Sequence, residues 1–322
     1  MKPHSYILKL VLLLAITTLY ACTTGAPVEK TTADSFASPA DHLNKGIHQY
    51  NNNNYPAAIN HFEKALLQYR SIDNQTGITQ SCMNLAKSYM AINNNQTAAA
   101  YLAKANQIVK QASLHELNEH LQLLNSSLAI KQALYEQALQ ELQPVLSSSN
   151  TDIQLAALKN RNVIAFNSNK KDKQQWLDKY KKLQQNNPLN TDSHLARILR
   201  FESELATNGE TKTALLTQAL TISQNLADRT AIAATLTQWT QFDIDTQQYD
   251  KAEDKALRAL FIRHQLGDVK NTLAILQMLK EIYALTNNSK HGQAIRWIDK
   301  ITSNDLADWG LLFPDFDTYP GQ

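Results

Sequence analysis

The sequence predicts an all-α protein, an α-solenoid of about seven helix-turn-helix repeats, and three observations point there. Glycine and proline are scarce: 8 Gly and 8 Pro in 322 residues make up about 5%, against roughly 12% in average usage. Sandwiches, barrels and propellers need turn residues every few positions, and nucleotide-binding α/β folds need glycines where backbone approaches phosphate. The second observation is a period of forty residues. Gly46, Ala86 and Ser126 stand forty apart, as do Tyr50, Met90 and Ile130; Ala58, Ala98 and Ala138; Phe62, Leu102 and Leu142; and Ala65, Ala105 and Val145. The third is that apolar residues inside each unit keep helical spacing, as in Ile78, Cys82, Leu85 and Tyr89. Each unit is therefore two helices, separated by turn signals such as 51–54 (NNNN), 93–95 (NNN) and 147–150 (SSSN).

The chain begins with a separate element, residues 1–21. Lys2 and Lys9 precede an apolar run of about twelve residues that starts at Leu10. A helix of that length spans about 18 Å, short of the roughly 30 Å hydrocarbon core, which marks a signal peptide and not a membrane span. Leu19-Tyr20-Ala21-Cys22 resembles the lipobox of bacterial lipoproteins. The resemblance implies cleavage between Ala21 and Cys22, lipidation of the Cys22 thiol, and a lipid bilayer as partner through that anchor. Thr23, in place of an aspartate that would retain the protein at the inner membrane, favours the periplasmic face of the outer membrane. Residues 22–40, small, polar and interrupted by proline, read as a flexible tether. Removing 1–21 takes two lysines and no acid, so 31 basic against 29 acidic residues becomes 29 against 29. That balance, with no long run of like charge, excludes a nucleic-acid partner.

The body, 41–301, is the repeat array. Gly46, Tyr55, Ala58, Phe62 and Ala65 resemble the tetratricopeptide repeat, and Tyr249, Ala252, Ala256, Ala259 and Leu260 repeat its second-helix signature. Small residues at such positions let two helices cross closely. Ile164, Trp176, Tyr180 and Leu183 fit a fourth unit; Leu199, Ala214, Leu215 and Ala219 a blurred fifth; and Leu276 to Ile301 a seventh. Residues 302–322 break the period. Trp309, Phe313, Phe316 and Tyr319 lie among four aspartates there, as a cap on the last repeat or a docking peptide.

Chemistry-bearing patterns are few. His115 and His120 are five apart, which points the two rings to different faces of a helix; His42, His48 and His61 read as surface residues, and Cys82 as a packed thiol. No catalytic residue, metal site or cofactor is expected. The resemblance implies that the first helix of each pair lines a concave, ligand-binding face. Its columns are Leu43, Ile47 and Tyr50; Met83, Lys87 and Met90; and Leu123, Ser127 and Ile130, a mainly apolar groove with adaptable methionines.

The expected function is a membrane-anchored, non-catalytic protein–protein interaction scaffold, whose partners are other envelope proteins or peptide segments. Similar lipoproteins serve pilus or secretin assembly, or recruit cell-wall enzymes and proteases. The alternative is a receptor or carrier of a small hydrophobic ligand. A closed ring with a lipid-sized cavity favours the carrier, and an open groove favours the scaffold.

Overall fold

Helix follows helix without a strand in the described part of the chain. The structure, a computed structural model, describes residues 38–168, 171–187 and 192–303. Fourteen α-helices run in order: α1 (Pro39–Asn51), α2 (Tyr55–Ser71), α3 (Gln75–Ala91), α4 (Asn95–Gln111), α5 (Asn118–Lys131), α6 (Tyr135–Val145), α7 (Thr151–Asn167), α8 (Lys173–Gln185), α9 (Asp192–Leu205), α10 (Gly209–Asn225), α11 (Arg229–Asp245), α12 (Tyr249–Gln265), α13 (Val269–Leu285) and α14 (His291–Thr302). They make the seven pairs that the sequence predicts. The tether expected over 22–40 ends earlier, because Pro39, with its preset φ, already stands in the first turn of α1. The lipobox and the segment 304–322 lie outside the described residues.

The turns have a period of twenty residues, half of the repeat. Asn53, Asp73, Asn93, Ser113 and Ala133, then Ala227, Gln247, Gly267 and Asn287, all have positive φ. Each follows a helix, and the next residue closes the helix end by donating to a carbonyl five residues back, as Asn54 does to Gln49, Asn94 to Tyr89 and Asp268 to Arg263. In most turns that same residue then caps the following helix. The side chains of Asn54, Asn74, Asn94, Asp228 and Asp268 accept from the amides of Ala57, Gly77, Thr97, Ala231 and Asn271. One tripeptide-sized turn thus ends one helix and starts the next, with asparagine and aspartate doing the work usually given to glycine.

Helices of a pair pack on each other, and each odd-numbered helix also touches the next odd-numbered one from α1 to α13. The odd helices therefore form the inner layer and the even ones pack outside it. Small residues permit the close crossings: a Cβ on Gly46 would stand 2.4 Å from the Phe62 ring, and one on Gly77 2.3 Å from Tyr69. Between inner helices the contact is polar. Asn160 on α7 donates to Ser126, Ser127 and the Leu123 carbonyl on α5 at 2.8, 2.9 and 3.4 Å. Gln238 on α11 meets Ser203 and the Arg200 carbonyl on α9 in the same way, at 2.8 and 2.9 Å.

The array winds back on itself. Asn53 Oδ1 accepts from Tyr55 at 2.9 Å and from Thr230 at 3.2 Å, and Asn93 donates to Asp268. Lys131 donates to Asn93 at 3.1 Å, while Arg263 pairs with Asp268 at 2.9 Å and reaches the Thr230 carbonyl at 3.4 Å. Turns separated by 175 residues are thereby joined, and the inner helices enclose a confined interior.

Candidate functional site: the cationic inner face

The site follows from which side chains the inner helices turn inward. Gly46, Ala86, Ser126 and Thr240 each stand seven residues before a positive-φ turn residue, at 53, 93, 133 and 247, and all four are buried. The Asn160 and Gln238 clamps carry this column to Asn162 and Ser203, which are also wholly buried. One turn earlier on each helix stands a second column: Leu43, Met83, Leu123, Lys159, Arg200 and Thr237. In the first three repeats it is apolar. In the fourth and fifth it is cationic.

Lys159, on α7, keeps partial contact with water, yet burial and the positive charges of Arg197 and Lys87 pull its ammonium down to about 7. It has no hydrogen bond or ion pair among the described residues, and neither has Arg197 on α9. Lys87, on α3, is exposed, but the surrounding chain still lowers its pKa by desolvation. Its Nζ lies 4.3 Å from the centre of the Tyr50 ring. Lys87 thus combines solvent exposure with desolvation by the surrounding chain. Arg200 is 6% exposed and donates to the Ala231 carbonyl at 3.2 Å and to Thr235 at 3.3 Å, with no ion pair among the described residues. Burial, then Arg197, works against its charge, and a guanidinium retains its proton even so.

Arg197 and Arg200, with Arg263, line a cavity of about 330 Å³ between α7, α9, α11, α12 and α13, whose wall also includes Phe166, Phe201 and Glu204. The two phenylalanine rings pack at a centroid distance of 4.5 Å and give the cavity an apolar wall. Burial raises the Glu204 pKa, and Lys173, Lys212 and Arg200 hold it down. Beside it, Tyr180 and His194 are hydrogen-bonded at 2.5 Å. Burial, then Lys159 and Arg197, lowers the imidazole to about 4, so it is neutral and adds no charge to the face. A second cavity, about 460 Å³ and lined by Leu146, Leu158, Trp176 and Leu183, lies where the outer layer is thin. There α6 carries Pro144 and ends after 11 residues, where most outer helices have 17.

The groove columns expected from the first three repeats divide differently. Met90 is buried, and Leu43, Tyr50 and Met83 pack against the same core; Leu123 and Ile130 pack against the next one. Ile47 and Lys87 are exposed, and Ser127 is engaged in the clamp. Met90 is thus a core residue, while Leu43, Tyr50, Met83, Leu123 and Ile130 pack against the core and stay partly exposed. His42 and His61, expected as surface residues clustered in the first repeat, meet at 3.3 Å between their Nδ1 atoms, while His115 and His120 are exposed. Among the described residues no three His, Cys, Asp or Glu side chains gather as for a metal ion. Cys82 is fully buried, and burial pushes its thiol pKa up.

Lys159, Arg197, Arg200 and Arg263 escape a reading of periodicity, because the forty-residue register slips between repeats three and six. The column one turn before the small residue would have found two of them once carried across that slip. Compared with known protein families and with curated proteins, the chain matches none.

Proposed function

We propose that this chain is a lipoprotein scaffold of the tetratricopeptide type, non-catalytic and anchored through Cys22 to the periplasmic face of the outer membrane. On this reading it recruits an envelope protein, in pilus or secretin assembly or in the placing of a cell-wall enzyme or protease, by holding a segment of that protein against its inner face. The observation that carries the reading is the set of inner-helix cations, Lys159 and Arg197 with no hydrogen bond or ion pair among the described residues and Lys87 with only the Tyr50 ring. A charge held without a partner in a desolvated place is costly, and a bound segment can supply that partner. The anchor rests on Leu19-Tyr20-Ala21-Cys22 and on the need for more than one acyl chain in stable attachment. The winding of the array satisfies the geometric half of the carrier alternative, but a cationic wall suits a peptide better than an apolar cargo.

Two measurements test this. Capture of the full-length protein from membranes should lose specific envelope proteins when Lys87→Gln and Arg197→Gln are combined; an unchanged set removes the inner face from the account. Cys22→Ser should abolish incorporation of radioactive palmitate, and persistent labelling overturns the anchor.

A further inference from the structure

We propose that the cavity lined by Arg197, Arg200 and Arg263 is a carboxylate-binding subsite that takes an acidic side chain, followed by an apolar one, from an extended peptide segment. This rests on the inner face being the partner-binding surface and names the chemistry of the partner.

Three cations from two helices line it, and their pairing is uneven. Arg263 is satisfied by Asp268 at 2.9 Å. Arg200 is held by a carbonyl and a hydroxyl, both neutral. Arg197 and Lys159, which stands outside the lining, have neither hydrogen bond nor ion pair among the described residues, and Arg197 acts on Lys159 as a like charge. A carboxylate arriving beside Arg197 gains charge-assisted hydrogen bonds, which a guanidinium can give in pairs. It also relieves the repulsion among the cations. The site is thus complementary to an anion before any ligand is present.

The rest of the wall narrows the class. Phe166 and Phe201 are 8% and 7% exposed and pack on each other in the same wall as the cations, so an apolar side chain beside the carboxylate finds a surface to cover. Glu204 stands in the same wall and would repel the closely spaced charges of a nucleic acid or polyphosphate, whereas the amides of a peptide can donate to it. The volume, about 330 Å³, lies at the lower limit of small-ligand pockets. It holds two or so side chains, not a lipid tail or a folded domain.

The test is fluorescence anisotropy with the full chain and a fluorescein-labelled peptide of roughly six alternating Asp and Phe residues. Binding is expected, weakening about tenfold or more in Arg197→Gln and by less in Lys159→Gln. The Asn–Phe counterpart of the peptide should bind at least about tenfold more weakly than the acidic one. Lys110→Gln, on the outer helix α4 and exposed, should leave affinity unchanged. Because Arg197 and Lys159 support no bond in the fold, both variants should melt with the wild type, and a fall in melting temperature shared by both would overturn their assignment as unpaired. The subsite fails if the wild type does not bind the acidic peptide, if Lys110→Gln weakens it as much as Arg197→Gln, or if a labelled single-stranded oligonucleotide of equal charge binds more tightly. Failure of the peptide to bind, while the Lys87→Gln, Arg197→Gln pair still loses its captured proteins, would sink the subsite and leave the scaffold standing.

Discussion

Single glycines show how far residue identity sets this architecture. Gly46 and Gly77 are helical, so neither is needed for its backbone freedom; each is needed for the space its missing Cβ leaves. The Phe62 ring fills one gap and the Tyr69 ring the other, and in both a new methyl would overlap ring carbons at under 2.6 Å. Phe62 is 1% exposed and is the largest apolar side chain tying α1 to α2, so it has nowhere to retreat. Gly46→Ala and Gly77→Ala should each destabilise the chain by about 1–3 kcal/mol, the usual cost of overpacking. Gly292→Ala, whose Cβ would meet only the tip of Arg296 at 3.7 Å, should be neutral or slightly stabilising. Urea denaturation of the three variants checks this, and equal behaviour of Gly46→Ala and Gly292→Ala would remove the steric argument. Gly46 was legible in the sequence because it shares a column with Ala86 and Ser126. Gly77 shares no such column, and the close approach of Tyr69 becomes visible only in three dimensions.

At the scale of the helix and its turn, the short supply of glycine has a measurable consequence. Eight of the nine positive-φ positions among the described residues carry a side chain, and left-handed backbone costs such a residue roughly 1–2 kcal/mol. Asparagine and aspartate tolerate it best, which explains Asn53, Asp73, Asn93 and Asn287. Ala133 and Ala227 have no such excuse, and both are exposed, so no packing would be lost on removing their methyl groups. Ala133→Gly and Ala227→Gly should therefore stabilise by roughly 0.5–1 kcal/mol each, the relief of strain outweighing the added freedom of the unfolded chain. Ala214→Gly, in the exposed middle of α10, should cost about the same amount. A set of thermal melts decides it, and destabilisation by all three would show that the turns store no strain. The same turns explain what periodicity could and could not reach. Three repeats of forty residues give the first columns without error, because their turns recur every twenty residues from Asn53 to Ala133. Then α6 ends after 11 residues, and α8 and α9 have 13 and 14 in place of 17, and the register is lost. With it went Lys159 and Arg200, which stand in the column already occupied by Leu43, Met83 and Leu123.

For the whole molecule, the decisive contact joins the two ends of a superhelical turn. Solenoids are held by neighbour-to-neighbour interfaces, and an array with only these would be free to flex along its length. Here a polar knot spans 175 residues, and no sequence pattern announces it, since Asn53, Asn93 and Asp268 look like ordinary turn residues and are recruited a second time. Asp268 is its centre. Its carboxylate caps α13 through the Asn271 amide, pairs with Arg263, and receives the Asn93 side chain. At 4% and 7% exposure, Asp268 and Arg263 are a buried pair, so removing one partner leaves an uncompensated charge, a change that costs about 3–5 kcal/mol. Asp268→Ala should therefore lower the melting temperature and also loosen the closure, seen as a larger radius of gyration in small-angle scattering below the melt. Asn93→Ala supplies the separation of these effects. It breaks the cross-turn bond and the Lys131 bond while leaving the Arg263 pair and the helix cap in place, so it should expand the molecule at a smaller cost in stability, on the order of 1 kcal/mol. Scattering curves of Asn93→Ala and Asp268→Ala that both superpose on that of the wild type would mean that the array holds its winding through neighbour contacts alone. The inner face would then owe its narrowness to the stacking of inner helices and not to the knot between its turns.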